Sequence, residues 1–131
     1  MIFVIRRRTD QRVSAIFRVE GKYVLRQVCE NGLKALKAEG ELYSFPGATR
    51  YVGESERGAA IRAAEKWGFS VKPAVIIRGN DKTYVVCEGA EQKGNPMEHE
   101  RLLLQTYDEL MQDSRVSSSV KEFLTKNLSA T

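Results

Sequence analysis

Apolar positions recur every second residue from Val13 to Val19, with Val13, Ala15, Phe17 and Val19 interleaved by Ser14, Ile16 and Arg18. That is the period of a β-strand. Glu20-Gly21-Lys22 makes a turn, and Tyr23 to Val28 runs back, which predicts a hairpin. Ahead of it, Met1 to Ile5 is a short apolar run suited to an edge strand, and Leu42 to Phe45 is a brief strand stopped by Pro46-Gly47. Between them, Glu30 to Glu41 is bracketed by Asn31-Gly32 and Glu39-Gly40 and reads as a long loop with a short helical piece.

From Ser55 the period becomes helical. Ala60, Ala63, Ala64 and Trp67 fall at i, i+3, i+4 and i+7, Ser55 is an N-cap, Glu56 suits the positive end of the helix, and Gly68 ends it. Lys72–Arg78 and Lys82–Glu88 read as strands joined at Gly79-Asn80-Asp81, followed by a polar loop from Gly89 to Pro96. Leu102-Leu103-Leu104 fits a strand or a helix start. Thr106 with Glu109 makes a capping box, and Val116 to Leu128 forms a last amphipathic helix behind a serine cap. This order predicts an α/β fold, a mixed sheet packed between helices, and 131 residues suit one domain spanning 1–131.

Composition narrows the function. The net charge of +4 favours anionic partners such as phosphates but is no nucleic-acid signature, and the one tight basic run, Arg6-Arg7-Arg8, reads as a solvated flank of the first strand. A lone histidine, His99, excludes a multi-histidine metal site, and Cys29 with Cys87 reads as two free thiols. The amino end has neither the order of a signal peptide nor the length of a membrane span, so a cytoplasmic protein with no membrane partner is expected.

The hairpin, Phe45-Pro46-Gly47, Gly53-Glu54, Ala59-Ala60-Ile61-Arg62 and Gly68-Phe69 stand in an order that resembles the Nudix hydrolases, with seven residues between Glu54 and Arg62 as in that family's box. The resemblance covers essentially the whole chain. It implies an α/β/α sandwich with a mixed sheet, and a pyrophosphohydrolase that cleaves nucleoside diphosphates linked to another group with magnesium or manganese. The box itself is altered. Ala48 replaces its glycine, Ala63 stands where a metal-binding glutamate follows the arginine, and Lys66 and Trp67 fall where two more glutamates belong. The chain is also one residue short between Arg62 and Gly68, and a gap before Glu65 would let that residue take one of the missing places.

On a regular helix of about 100° per residue, Glu65 points roughly 160° from Ala63. Magnesium needs carboxylates, which an alanine, a lysine and a tryptophan do not supply. The expectation is therefore no metal site of the usual kind, with Glu54 and Glu65 the ligands if any. Glu54 and Arg62 read as an ion pair tying loop to helix.

Three functions stay open. In the first, the chain binds a small phosphorylated, nucleoside-diphosphate-type ligand, with Arg50, Arg62 and Lys66 beside Gly47 standing in for the metal's charge, and hydrolysis is weak or lost. In the second, an active pyrophosphohydrolase uses a rearranged acid set of Glu54, Glu65 and Glu98 or Glu100, with magnesium or manganese as cofactor. The third is an inert interaction or regulatory module. Tyr43, Tyr51 and Phe17 could stack on a base, and a homodimer stays open.

Overall fold

A computed structural model describes residues 7–27, 42–79, 82–93 and 101–128. The expected first edge strand, the 30–41 loop, Cys29, Asn80-Asp81, Glu98, His99 and Glu100 lie outside them. The chain divides into two compact units, Met1–Phe17 with Pro46–Met97 and Arg18–Phe45 with Glu98–Thr131.

The first unit holds β1 (Arg8–Ile16), β5 (Gly47–Tyr51), α1 (Glu56–Lys66), β6 (Phe69–Arg78) and β7 (Lys82–Gln92). Its sheet runs β5-β1-β7-β6. The β1–β7 pair is parallel and the other two pairs are antiparallel, so the sheet is mixed. β1 is the inner strand that both β5 and β7 flank, which explains why Val13 to Ile16 are buried on both faces. Toward its start β1 is irregular. It advances from Arg8 to Arg12 while β5 moves only from Tyr51 to Thr49, so β1 carries two extra residues.

Helix α1 forms as its sequence predicts. The Ser55 hydroxyl accepts from the Gly58 amide at 2.9 Å, and Gly68 takes φ 87° just past the helix. Ala59, Ala60, Ala63 and Ala64 are buried, and these methyl-sized side chains let the helix lie close to the sheet. Trp67 is buried beside them, and the Phe17 and Phe69 rings meet at 5.4 Å. Cys87 is a buried free thiol whose ionisation burial pushes up to about 12, against a hydrogen bond from the Ile16 backbone.

The second unit holds β2 (Arg18–Val19), β3 (Lys22–Gln27), β4 (Tyr43–Ser44), β8 (Leu102–Gln105), α2 (Tyr107–Gln112) and α3 (Ser118–Asn127). β3 is its centre, antiparallel to β2 and β4 along one edge and to β8 along the other. The capping box is present: the Thr106 hydroxyl accepts from the Glu109 amide and the Glu109 carboxylate from the Thr106 amide. Leu110, Val120, Phe123 and Leu124 are buried, with Phe45 edge-on to Phe123 at 6.1 Å.

Three expectations need correction. The strand read as Val13–Val19 is two strands that part at Phe17: residues 8–16 pair with β5 and β7, and only Arg18–Val19 form the hairpin with β3. The stretch after Pro46-Gly47, read as loop, is strand β5, whose small and polar side chains conceal it. The polar run from Gly89 to Gln92 continues β7, because Phe69 and Ser70 extend β6 to pair with it. No helix among the described residues is long and apolar enough to cross a membrane.

Candidate functional site

Strand alternation sorts the start of β1 into two sets of side chains. On one side lie Thr9 and Gln11. Thr9 Oγ1 donates to the Arg50 carbonyl at 2.8 Å, while Gln11 Nε2 donates to Glu56 Oε2 at 2.6 Å and to Thr83 Oγ1 at 2.8 Å. Arg50 is held in the same cluster. Its Nε donates to Gln11 Oε1 at 2.5 Å, and its Nη1 donates to the Glu54 carbonyl at 2.9 Å. Arg78 closes the cluster through an ion pair with Glu56. Burial would push the Glu56 carboxyl up, but hydrogen bonds from Arg78, Gln11 and Thr83 outweigh it and hold the group below its usual range.

The alternate positions, Arg8 and Arg12, face a cavity of about 520 Å³. β5 adds Gly47, Ala48, Thr49 and Tyr51 to its lining, and α1 adds Arg62, Ala63, Glu65 and Lys66. Arg12 Nη1 donates to Thr49 Oγ1 at 3.1 Å, the residue it faces across the β1–β5 ladder. Gly47 leaves this guanidinium room: a Cβ there would sit 3.4 Å from Arg12 Nη2 and 3.3 Å from the Val13 carbonyl oxygen.

One wall of the cavity is fixed by Glu54 and Arg62. Arg62 Nε donates to Glu54 Oε2 at 3.0 Å and Nη2 to Oε1 at 2.9 Å, a bidentate pair, and Nη2 also donates to the Thr49 carbonyl at 2.7 Å. The second role of the Glu54 carboxylate is to accept the Tyr51 amide at 3.0 Å. The Arg62 guanidinium lies 4.2 Å from the Tyr51 ring centre, stacked on its face. The ion pair that the sequence reading placed between loop and helix is therefore present, and the hydrogen bonds that Arg62 donates to Glu54 raise the Arg62 pKa further.

Of the residues singled out from sequence, Gly47, Arg62, Glu65 and Lys66 line one cavity. Arg50 sits apart from them, beside Gln11, Glu54 and Glu56 in a second hollow. Glu65 joins Arg62 and Lys66 because i, i+3 and i+4 share a helix edge, although Ala63 points inward. Glu98 and Glu100 are outside the described residues. Sequence reasoning missed Arg12 altogether and took Arg8 for a solvated flank. No local signal marked them: residues 8–12 are polar at every position, and only pairing with β5 puts both arginines on one face.

Tested against a divalent cation, this donor set does not fit. Magnesium and manganese take several oxygen ligands. The described lining offers one free-standing carboxylate, Glu65, against Arg8, Arg12, Arg62 and Lys66, and Glu54 is bound by Arg62. No three His, Cys, Asp or Glu side chains converge on one point among the described residues. The described lining thus carries four cationic side chains against one carboxylate.

No family model and no curated protein matches the chain. Solved structures do. The chain is similar to the MutT protein from Methanosarcina mazei, at 14% identity and TM-score 0.61 over 94% of this chain and 95% of that one. A NUDIX-family hydrolase from Clostridium perfringens matches at 15% and 0.59, covering 93% and 96%. An ADP-ribose pyrophosphatase from Streptococcus suis matches at 17% and 0.58, covering 92% and 93%. Identities this low carry the architecture alone: this chain has the α/β fold of the Nudix hydrolases.

Proposed function

We propose that the protein binds a nucleoside-diphosphate-type ligand in the β1–β5–α1 cavity and that metal-dependent pyrophosphate hydrolysis is weak or lost. The observation that carries this reading is the lining itself, where four cationic side chains surround a space of about 520 Å³ that holds one carboxylate. That volume lies within the range of small-molecule sites. Similarity to a fold whose members include an ADP-ribose pyrophosphatase supports a nucleotide as the ligand's body. Lys66 takes over part of the charge neutralisation that a metal supplies elsewhere, while Arg62, paired with Glu54, holds the wall of the cavity. The cytosol, which keeps Cys87 reduced, is the compartment this reading assigns.

The test is a thermal-shift titration with ADP and ADP-ribose, in EDTA and in magnesium or manganese, alongside an assay for AMP, the product that cleavage of either diphosphate yields. A ligand that binds only the folded chain must raise its melting temperature, by an amount that grows with concentration. Stabilisation in EDTA without turnover supports the reading. Metal-dependent turnover abolished in Glu65→Gln would overturn it in favour of a working hydrolase. No shift with either nucleotide under any condition would leave the fold as a scaffold only.

A further inference from the structure

Arg62 is already neutralised by Glu54, while three other cations reach the cavity from two different elements: Arg8 and Arg12 from β1 and Lys66 from α1. All three are exposed. We infer that Arg8, Arg12 and Lys66 form a receptor for a terminal, unbridged phosphate, so that the preferred ligand is a nucleotide ending in a free phosphate rather than one whose diphosphate is capped by a second group. This rests on the nucleotide-binding reading and deepens it.

The argument is one of matching valence. A terminal phosphate presents three oxygens and a second ionisable proton with a pKa of about 6. A bridging phosphate presents two free oxygens and a single charge. Two guanidinium forks and one ammonium give a donor group for each of three oxygens, which a capped diphosphate would leave partly unmatched. The site also has the geometry for it. Arg8 and Arg12 share one strand face, and Thr49 Oγ1 steadies Arg12 from the neighbouring strand at 3.1 Å. Gly47 lies beneath that guanidinium, where an added Cβ would touch Arg12 Nη2 at 3.4 Å and press on the Val13 carbonyl oxygen at 3.3 Å. Magnesium complexed to the phosphates would compete with these cations, so binding should be strongest in its absence.

Isothermal titration of the unmodified protein with ADP and with ADP-ribose, both in EDTA, decides the matter. ADP should bind at least about tenfold more tightly at pH 8, which corresponds to roughly one well-formed charged hydrogen bond. That advantage should fall severalfold as pH drops from 8 to 5.5 and the terminal phosphate takes up its second proton. ADP-ribose affinity should change much less over the same span. A double variant Arg8→Ala, Arg12→Ala should erase the preference while leaving weak binding of both nucleotides, its folding checked by the melting temperature without ligand. Equal affinity for the two nucleotides, or tighter binding of ADP-ribose, would overturn the terminal-phosphate assignment while leaving the nucleotide-binding reading intact. If neither nucleotide binds, both fail.

Discussion

Single side chains in this protein carry unequal loads, and the backbone shows one that fits its place poorly. Val19 and Lys22 pair across the β2–β3 turn, which leaves Glu20 and Gly21 as a two-residue loop with φ 54° and 78°. Two consecutive positive φ values make the turn type that suits asparagine followed by glycine. Glutamate tolerates the left-handed region less well than asparagine. Glu20→Asn should therefore stabilise the protein by about 0.5 kcal/mol, seen as a higher urea midpoint with an unchanged slope. The Glu54–Arg62 pair gives the opposite case. Arg62→Lys keeps the charge but cannot reproduce the fork, the bond to the Thr49 carbonyl and the stacking on Tyr51 together. The side chain is partly exposed, so solvent screening limits the expected loss to about 1–2 kcal/mol, measured as a lower denaturant midpoint.

At the level of elements, α1 was the most legible part of the chain because every local signal agreed. Cap, helical alanine stripe and terminating glycine all pointed to one span, and the helix forms over Glu56–Lys66. The same buried alanines make it intolerant of bulk. Ala60→Leu should cost about 1–3 kcal/mol by overpacking, whereas Lys66→Leu on the exposed edge should cost far less, a contrast that paired thermal melts would measure. Strands were harder to read. β5 hides because Gly47, Ala48 and Thr49 show no apolar alternation, and its status depends on β1 lying alongside, a contact far away in sequence. The split at Phe17 was equally hidden, since an uninterrupted alternation does not reveal that its two ends belong to different sheets. The site suffered from the same blind spot. The α1 residues could be counted from the family's box, but Arg12 enters only through β1–β5 pairing.

For the molecule as a whole, three carboxylates link stability to pH. Glu56 sits below its usual range despite burial, Glu109 because the Thr106 amide donates to it, and Asp113 because of the Arg115 guanidinium. In each case the folded chain binds a proton less readily than the unfolded chain, so stability rises with pH through that window. The contribution is complete above the ordinary carboxylate range, about 4 to 4.5, and is lost as pH falls toward the lowered folded values. Urea midpoints should thus be nearly level from pH 7 to about 5 and drop below about 4.5. Glu56→Gln should lower the neutral plateau and flatten the acid decline. A midpoint that rose on acidification would contradict this account.

The two surplus residues in β1 matter because their number is even. An even surplus returns the strand to the same parity, so Arg8 re-emerges above the sheet with Arg12 while Thr9 and Gln11 stay below. Deleting Asp10 alone would shift everything upstream of Gln11 by one place: Thr9 would take the position of Asp10, the guanidinium of Arg8 would swing toward the underside, and Arg7 would move into the position that Arg8 vacates at the opening. The ladder from Arg12 to Ser14 would survive, leaving a folded protein in which the neighbouring arginine stands beside Arg12 in place of the original one.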